Sequence, residues 1–483
     1  MTTAYRSRER IPAAAALALL ATGCTVGPDY ERPPEVEVPE AFGGASGWQP
    51  AMPADAVQRD KWWSMFGDPQ LDELANQVGG ANLDVQRAEA EFRRMRALVE
   101  AARAGLWPTV AFDAGFTRSL TPVGSGGTAV SSARALSTYS TSLSASWEVD
   151  LWGAGRRTVE AAVADAQATA ADFESARLAA QADLVQDYLL LRTAEAQERL
   201  LDDTVHAFER SLEVVRNRLA VGTASRADVA QGEAQLENAR AQAIDARVQR
   251  EQLAHAIAVL VGRPPSAVTV PAGPMPAAFP TVPTGVPSEL LQRRPDIAGA
   301  ERRVASANAR VGVAAAAWYP SLTLVGSAGF RSRDLTDWIT APARFWTFGP
   351  ALVQTLFDAG KRSAEADAAR AELDATAAIY RQTVLAAFQE VEDNLSSLQI
   401  LAQEADVQDA AVRASRESVE LAQNQYRAGT ISYLEVIIVQ TAALTNERTA
   451  VAVQGRRLLA CVQLVRALGG GWNAAALPPA AEL

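Results

Sequence analysis

The chain carries one sequence pattern twice. Leu219–Val229 reads LAVGTASRADV, and the pattern returns 207 residues later as Tyr426–Val436, YRAGTISYLEV. Other landmarks recur in the same order: Trp107-Pro108 as Tyr319-Pro320, Leu151–Arg157 as Leu356–Arg362, and Gly262 as Gly469. A repeated unit of roughly two hundred residues is longer than the ~20–50-residue period of solenoids and propellers. The sequence therefore predicts one fold built from two similar halves.

Composition excludes several classes of protein. Hydrophobic residues make up 48% of the 483 residues but aromatic residues only 6%, which favours long helices packed through small side chains. The formal net charge of −11 argues against a nucleic-acid partner, which requires clustered positive charge. Two His and two Cys are too few for a zinc framework or a redox pair. No apolar run reaches the ~18–20 residues of a membrane-spanning helix.

The first residues have the pattern of an export signal. Three arginines precede the apolar run Ile11–Leu20, and small residues then lead to Cys24, so we expect residues 1–23 to be removed. Their three Arg and one Glu leave a mature chain of net charge −13. The residues before Cys24 resemble a bacterial lipobox, in which the thiol receives a diacylglyceryl group and the new N-terminus a fatty acyl chain. Thr25 after the Cys implies sorting to the outer membrane. Ordinary signal cleavage, with Cys24 an unmodified thiol, is the alternative.

Period-two alternation predicts two strands in each half. In Val110–Thr117 and Tyr139–Leu151, apolar residues alternate with small, hydroxyl or acidic ones, which is a strand pattern. The pattern is weaker over Leu322–Phe330, and the return strand, near Phe345–Phe357, contains Pro350, which predicts a bend or bulge. Long strands with one apolar and one polar face fit a membrane barrel with a watery lumen. A soluble hairpin packed on a core is the alternative.

Heptad-like spacing predicts a long helix after each hairpin. Val205, Phe208, Leu212, Val215 and Leu219 recur at spacings of three and four, and Val412, Ser415, Val419, Ala422 and Tyr426 stand at the same offsets in the second half. This is a coiled-coil seam. An opening helix is predicted over about Gln70–Gly105, because Pro108 stops it. Each repeat is therefore helix, β-hairpin, long helix, tight turn and antiparallel long helix.

These patterns divide the chain into six segments. We predict a signal peptide over 1–23, an extended strap over 24–67, a first repeat over 68–262, a Pro-rich connector over 263–287, a second repeat over 288–470 and a tail over 471–483. The connector is assigned because residues 263–287 hold eight Pro, which favour irregular extended chain.

The turns between the long helices have a helix-capping pattern. Gly222 and Gly429 stand where a helix needs a left-handed closing residue, which Gly supplies without steric cost. Ser225 with Asp228, and Ser432 with Glu435, follow the S-x-x-acidic form of a capping box. These residues are therefore predicted to build two helical hairpin tips, a structural role that leaves room for a second one.

The ordered set of motifs resembles a known family. Val26–Tyr30 (VGPDY) after the Cys, the Trp-Pro and Tyr-Pro helix ends, Phe357–Arg362 (FDAGKR) and the paired tips together look like the TolC-like outer-membrane factors, and more narrowly the NodT/OprM lipoprotein branch of RND multidrug efflux systems. The resemblance implies an α+β membrane protein that forms a homotrimer. Each chain would give four strands to a twelve-stranded outer-membrane β-barrel and its hairpins to a long periplasmic α-helical barrel.

The resemblance also implies roles for the tips. Gly222, Thr223, Ser225, Arg226 and Asp228 occupy the tip that docks a periplasmic membrane-fusion adaptor, and Gly429, Thr430, Ser432, Tyr433, Glu435 and Ile438 occupy the tip nearer the periplasmic gate. Relatives often place an acidic residue where this chain has Ile438. The gate is therefore expected to combine an apolar ring with Glu435 instead of two carboxylate rings.

Charged and aromatic residues cluster at the predicted strand–helix junctions. Arg156-Arg157 and Lys361-Arg362 stand at helix starts, where the helix dipole disfavours a cation. We expect them either near lipid headgroups or lumen water at the barrel rim, or on a solvated face. Trp107, Trp152, Trp318 and Tyr319 form either an interfacial aromatic belt or ordinary junction packing.

The leading functional interpretation is a passive exit duct. It would perform no chemistry, hold no metal and no cofactor beyond the lipid on Cys24, and conduct small molecules and drugs from an inner-membrane RND transporter and its adaptor to the outside. The alternatives are the outer component of a type I protein secretion system and a periplasmic coiled-coil adaptor or scaffold lipoprotein. An enzyme is disfavoured because His206 and His255 lie on helices without a nucleophile motif, and Cys461 is expected to be a packing residue.

Overall fold

The computed structural model describes residues 25–31, 59–120, 135–276 and 293–483; Cys24 and the predicted signal lie outside them. The main elements are α1 (Pro69–Ala81), α2 (Leu83–Ala104), β1 (Thr109–Leu120), β2 (Ala135–Val149), α3 (Ala154–Ala220), α4 (Arg226–Leu260), α5 (Pro295–Ala316), β3 (Ser321–Ser332), β4 (Arg344–Val353), α6 (Lys361–Ala428) and α7 (Tyr433–Ala467). The predicted repeat is confirmed, since a hairpin, a long helix and a returning helix follow one another twice. No helix in the described ranges is both long and apolar enough to cross a membrane.

The four strands form one antiparallel sheet in the order β1-β2-β3-β4. Phe112 lies opposite Leu143, Leu143 opposite Ala328, and Ala328 opposite Trp346. Because side chains alternate between faces, this register gathers apolar residues of all four strands on one face. Phe112, Leu143 and Trp346 are 66%, 56% and 77% exposed. The alternative of a soluble hairpin packed on a core is therefore wrong.

The other face of the sheet is polar. Ser144 donates to Asp113 Oδ2 at 2.9 Å, and the hydroxyls of Ser327 and Thr347 lie 2.8 Å apart. The register places all four side chains on the face opposite to that of Phe112 and Leu143. The sheet thus separates an apolar surface from a hydroxyl-rich one.

The bulge expected at Pro350 is absent. β3 and β4 pair residue for residue through Leu324 and Pro350, from Phe330 opposite Arg344 to Ser321 opposite Val353. Proline is tolerated in an edge strand where its missing N–H would face away from the sheet, and β4 is an edge strand of this chain.

The single opening helix predicted over Gln70–Gly105 is two helices. Asn82, with extended φ −68° and ψ 129°, ends α1 and caps α2 by accepting hydrogen bonds from the Asp84 and Val85 N–H groups. Its Nδ2 also donates to the Leu260 carbonyl at 3.0 Å. Both α1 and α2 pack on α3.

The long helices pack as the seam predicts. Phe208 and Leu212 of α3 are buried against Leu236 and Ala239 of α4, and α6 packs in the same way along α7. The largest buried cluster lies nearer the middle of these helices, where α1, α3, α5, α6 and α7 meet; its members include Trp63, Leu71, Tyr188, Ile297, Val391 and Leu464. The sheet and the hairpin tips thus lie at opposite ends of one helical body.

Candidate functional site: the paired helical tips and the sheet–helix junction

The first tip joins α3 to α4. Gly222 has φ +79°, and the Thr223 N–H donates to the Arg218 carbonyl at 2.8 Å, which closes α3 with the hydrogen bond of a Schellman motif. Ser225 begins α4 with a complete capping box: the Asp228 N–H donates to Ser225 Oγ at 3.1 Å, and the Ser225 N–H donates to Asp228 Oδ2 at 2.8 Å. The predicted turn is confirmed at this tip.

The second tip joins α6 to α7 by the same turn but a different cap. Gly429 has φ +77°, and the Thr430 N–H donates to the Gln425 carbonyl at 3.0 Å. Ser432 accepts no backbone hydrogen bond, and its hydroxyl instead donates to Glu435 Oε1 at 3.5 Å. The capping box expected here is therefore not formed, because Ser432 Oγ accepts no hydrogen bond from the first backbone N–H groups of α7.

The two tips pack against each other through an aromatic cluster. Tyr426 and Tyr433 are buried with Val215 of α3 and Val436 of α7, and the two rings lie 5.4 Å apart, centroid to centroid. Tyr433 OH lies 3.2 Å from the Ser211 hydroxyl. Burial raises the pKa of both phenols. Tyr433 thus belongs to the contact between the two hairpins.

Arg218 fastens the end of α6 to the first hairpin. Its guanidinium lies 4.6 Å from the centre of the Tyr426 ring and donates to the Tyr426 carbonyl. That carbonyl is among the last four of α6, and it also accepts from the Gly429 N–H at 3.0 Å. One side chain therefore supplies both a cation–π contact and a cap.

The remaining predicted tip residues face outward. Thr223 and Arg226 are exposed on the first tip, and Glu435 and Ile438 on the second. Ile438 is 58% exposed, because it lies two residues after the buried Val436 and so on the opposite side of α7. A groove of about 210 Å³ lies between the hairpins; it is lined by Ala207, Arg210, Ser211, Val214, Gln423, Tyr426, Arg427 and Val436. The tips thus present exposed side chains beside a groove between the two hairpins.

At the opposite end of α3 and α6, carboxylates offset the cations at the helix starts. Asp150 accepts from the Gly155 and Arg156 N–H groups and lies 3.2 Å from Arg156 Nε. Asp358 likewise accepts from the Arg362 N–H and pairs with its guanidinium at 2.5 Å. Each carboxylate caps a helix and neutralises a cation that the helix dipole disfavours. The Arg362 side chain is only 13% exposed and so is not on a solvated face, whereas the Arg156 side chain is 40% exposed.

Arg157 and Lys361 differ from their neighbours. The Arg157 side chain is 5% exposed and donates to Asp29 Oδ1 at 2.8 Å and to Glu160 at 2.8 Å. It joins the segment that contains VGPDY to the start of α3. Lys361 is exposed, 3.7 Å from Glu365.

The junction aromatics are mostly packing residues. The Trp152 and Tyr319 rings stack 4.7 Å apart, and Trp152 Nε1 donates to the Pro320 carbonyl at 2.8 Å. Arg362 lies 4.9 Å from the Trp318 ring. Trp107 is 72% exposed. Trp152, Tyr319 and Trp318 therefore contact other residues at the junction, whereas Trp107 faces outward.

The residues just after Cys24 bind this junction. The Val26 N–H donates to the Trp152 carbonyl at 3.0 Å, and Asn308 donates to the Pro28 carbonyl at 3.2 Å. Gly153, at φ +84°, lies so close to Thr25 that a Cβ there would come within 2.8 Å of it. The chain is thus held at the base of the sheet from Thr25 onward.

The side chains that could suggest catalysis are either buried in the core or exposed to solvent. Cys461 is buried, and burial raises the pKa of its thiol to about 11. His206 is an exposed partner of Glu209 at 3.1 Å. Within the described residues no three His, Cys, Asp or Glu side chains converge as a metal site.

Comparison with known proteins agrees with this geometry. The family described as "Outer membrane efflux protein" matches residues 74–263 and 286–470. The chain is 30% identical over 460 residues to outer membrane protein OprJ of Pseudomonas aeruginosa, covering 95% of each. It is 31% identical over 470 residues to the toluene efflux pump outer membrane protein TtgF of Pseudomonas putida, covering 95% of this chain and 96% of that one.

Solved structures give the same result. The outer-membrane channel OprN superposes with a TM-score of 0.87 at 29% identity, covering 93% of this chain and 100% of that one. The MtrE outer membrane channel of Neisseria gonorrhoeae gives 0.80 at 30% identity, covering 93% and 99%. The amphipathic sheet, the repeated hairpins and these similarities lead to one conclusion: the chain belongs to the outer membrane efflux protein family and forms the outer-membrane exit channel of an efflux pump.

Proposed function

We propose that the channel is a homotrimer whose three sheets close into one twelve-stranded barrel. The observation that carries this proposal is the sheet itself, which exposes an apolar face and leaves β1 and β4 unpaired on their outer sides within the described residues. In a bilayer every backbone N–H and C=O needs a partner, so an open sheet edge is not tolerated. Pairing β4 of one chain with β1 of the next removes all the edges.

The duct is passive and conducts small organic molecules. It performs no chemistry itself and receives its cargo from an inner-membrane RND transporter through a periplasmic membrane-fusion adaptor. The names of two relatives, a toluene efflux protein and the pyoverdine export protein OpmQ, support small molecules as the class of cargo. The hydroxyl-rich face of the sheet, turned inward, would give the barrel a wet lumen.

Cys24 carries the lipid anchor. Thr25 contacts Gly153, four residues after the end of β2 at Val149, and consecutive Cα atoms are ~3.8 Å apart. Acyl chains on Cys24 would therefore start at the base of the sheet, level with the periplasmic leaflet of the outer membrane.

The two tips divide the remaining tasks. The exposed residues of the first tip, Thr223 and Arg226, dock the adaptor beside the groove between the hairpins. Glu435 and Ile438 of the second tip line the gate. The outward direction of these side chains supports both assignments.

The test is a deletion strain complemented with the wild-type gene or its variants. We expect wild-type protein to run as a heat-resistant trimer from outer membranes and to restore drug resistance. Cys24→Ala is expected to lower resistance by weakening the anchor, and Arg226→Ala by weakening adaptor docking, while both remain trimers. A monomer in the soluble periplasmic fraction would exclude the channel.

The secretion alternative is tested by the same strains. If deletion leaves every compound's toxicity unchanged while a protein disappears from the medium, the cargo is a polypeptide and not a drug. Lys61→Ala is a suitable control variant, because this exposed cation lies before α1, distant in the sequence from both tips.

A further inference from the structure

The outer end of the sheet, where β1 ends at Leu120 and β4 begins at Arg344, carries an aromatic band on its apolar face. The Phe116 and Tyr139 rings lie 4.8 Å apart, and the Trp338 ring lies 5.8 Å from Tyr139. Phe116 is 56% exposed. Aromatic rings collect where the hydrocarbon of a membrane meets its headgroups. This band therefore places the outer interface at this level of the strands.

Two arginines stand on the same face near the outer ends of the two edge strands. Arg118 lies between Phe116 and Leu120 in the alternation of β1, opposite Ser137, and Arg344 lies opposite Phe330 at the start of β4. Both are exposed. Arg344 Nε donates to the Ala341 carbonyl at 3.4 Å, and neither guanidinium pairs with a carboxylate of the described residues. The nearby acidic residues are Asp334 and Asp337, in the β3–β4 connection.

An unpaired arginine on the lipid face of a barrel is costly at mid-membrane and tolerated only near an interface. Its fork of N–H donors matches phosphate oxygens, which it binds with two parallel hydrogen bonds. The group that these side chains can reach at the outer surface is the headgroup of an outer-leaflet lipid. The chemistry that fits them is therefore a phosphate on that headgroup.

Trimer closure brings the two arginines together, so this step rests on the proposed function. Within one chain Arg118 and Arg344 lie on the two edge strands, three strand intervals or ~15 Å apart. In the closed barrel β4 pairs with β1 of the next chain, at a strand spacing of ~4.8 Å. Arg344, the first residue of β4, then lies on the strand next to the outer end of β1 that carries Arg118 of the partner subunit, at each of three seams.

We propose that each seam between subunits binds the phosphorylated glucosamine headgroup of lipid A, the glycolipid of the outer leaflet. Arg118 and Arg344 hold the phosphate, and the band of Phe116, Tyr139 and Trp338 packs against the first carbons of the acyl chains. The lipid thereby bridges two subunits at the rim and stabilises the trimer from outside.

The test uses the full-length trimer purified in mild detergent and bisphosphorylated lipid A as the probe, with binding measured by native mass spectrometry. We compare wild type, Arg118→Gln, Arg344→Gln and the double variant. Affinity is expected to fall roughly fivefold for each arginine removed. The matched control is Arg331→Gln, because Arg331 lies at the same end of the sheet on the polar face, 4.7 Å from the Phe345 ring.

Two outcomes overturn the proposal: equal binding of dephosphorylated lipid A, or an equal loss in Arg331→Gln. Heat-resistant trimer and channel conductance are measured on the same preparations. An intact, conducting trimer that ignores lipid A contradicts this inference alone, whereas absence of any wild-type trimer contradicts the proposed function. If the double variant does not assemble, the two single variants decide the question.

Discussion

At the scale of single residues, Arg218 is the side chain that connects the two tips most directly. Replacing it with Ala removes the cation–π contact with Tyr426 and the cap on the Tyr426 carbonyl, a loss of about 1 kcal/mol from the contact between the hairpins. We expect the second tip to move more freely and the mean single-channel conductance in planar bilayers to rise.

Arg216→Ala is the matched control for that prediction. Arg216 lies two residues away on α3 and pairs with Glu233 of its own hairpin at 2.7 Å, so its loss leaves the contact between the tips intact. Equal conductance changes in the two variants would show that Arg218 acts only through surface charge.

Asp187 gives a residue-scale prediction with a pH dependence. Burial, with a smaller contribution from Asp183, raises the pKa of Asp187 to about 6, whereas an unfolded chain has a pKa of ~3.9. The folded state therefore binds the proton more tightly, and the contribution of Asp187 to the free energy of unfolding falls as pH rises from about 4 to about 6. Above that range the carboxylate destabilises the fold.

Asp187→Asn is accordingly expected to leave the free energy of unfolding unchanged below about pH 4 and to raise it above about pH 6. The gain is ~1 kcal/mol, smaller than the full pKa shift implies, because solvent reaches this half-buried group. Guanidinium unfolding of the helical circular dichroism signal between pH 4 and pH 8 measures it. Asp183→Asn should move the inflection to lower pH, and a gain independent of pH would contradict the assignment.

At the scale of secondary-structure elements, the break between α1 and α2 depends on Asn82. Its side chain is buried, accepts two backbone N–H groups and donates to the Leu260 carbonyl at 3.0 Å. Asn82→Ala removes a helix cap and leaves that carbonyl without this donor, at a combined cost of ~1–3 kcal/mol. We expect a lower thermal midpoint by circular dichroism. Asn76→Ala is the control, since the exposed Asn76 side chain bonds only within α1, and an equal loss there would contradict the role of Asn82.

Elements whose signal is local were predictable from the sequence. The seam through Phe208 and Leu212 and the alternation around Phe112 and Leu143 follow directly from periods of 3.5 and two, and both are confirmed. The break at Asn82 was missed because the apolar spacing continues across it. The run Gly79-Gly80 followed by Asn82 and Asp84 was the available signal, since an Asn two residues before an Asp is a common helix start.

Some contacts near the turns could not be predicted, because the pattern of residue types does not fix which side chain meets which neighbouring group. The same S-x-x-acidic pattern closes at Ser225 and stays open at Ser432. The cations at the helix starts are offset by Asp150, six residues before Arg156, and by Asp358, four residues before Arg362, so the two copies use different positions for the same task. The packing of the Tyr433 ring against α3 likewise does not follow from its place in the tip motif, and its role at the gate stays a prediction.

At the scale of the whole molecule, one chain supplies an open four-stranded sheet that only its copies can complete. The exposed edges β1 and β4 and the exposed apolar face require neighbouring chains and lipid. A ring of three chains would also bring three copies of each outward tip residue to the axis. The proposed gate would therefore be a property of the trimer, although each of its side chains is placed by contacts within one chain.

The proposed constriction at the gate depends on the side chain of Ile438. It is 58% exposed, held outward because the neighbouring Val436 and Tyr433 are buried against the first hairpin. Three such side chains would form an apolar constriction, which blocks ions by excluding water. Ile438→Ala is expected to widen the constriction and raise single-channel conductance in bilayers, while Ile438→Asp should in addition make the entrance bind divalent cations. Ile244→Ala is the control, an isoleucine 64% exposed on α4. Unchanged conductance in Ile438→Ala, or an equal rise in Ile244→Ala, would remove Ile438 from the constriction.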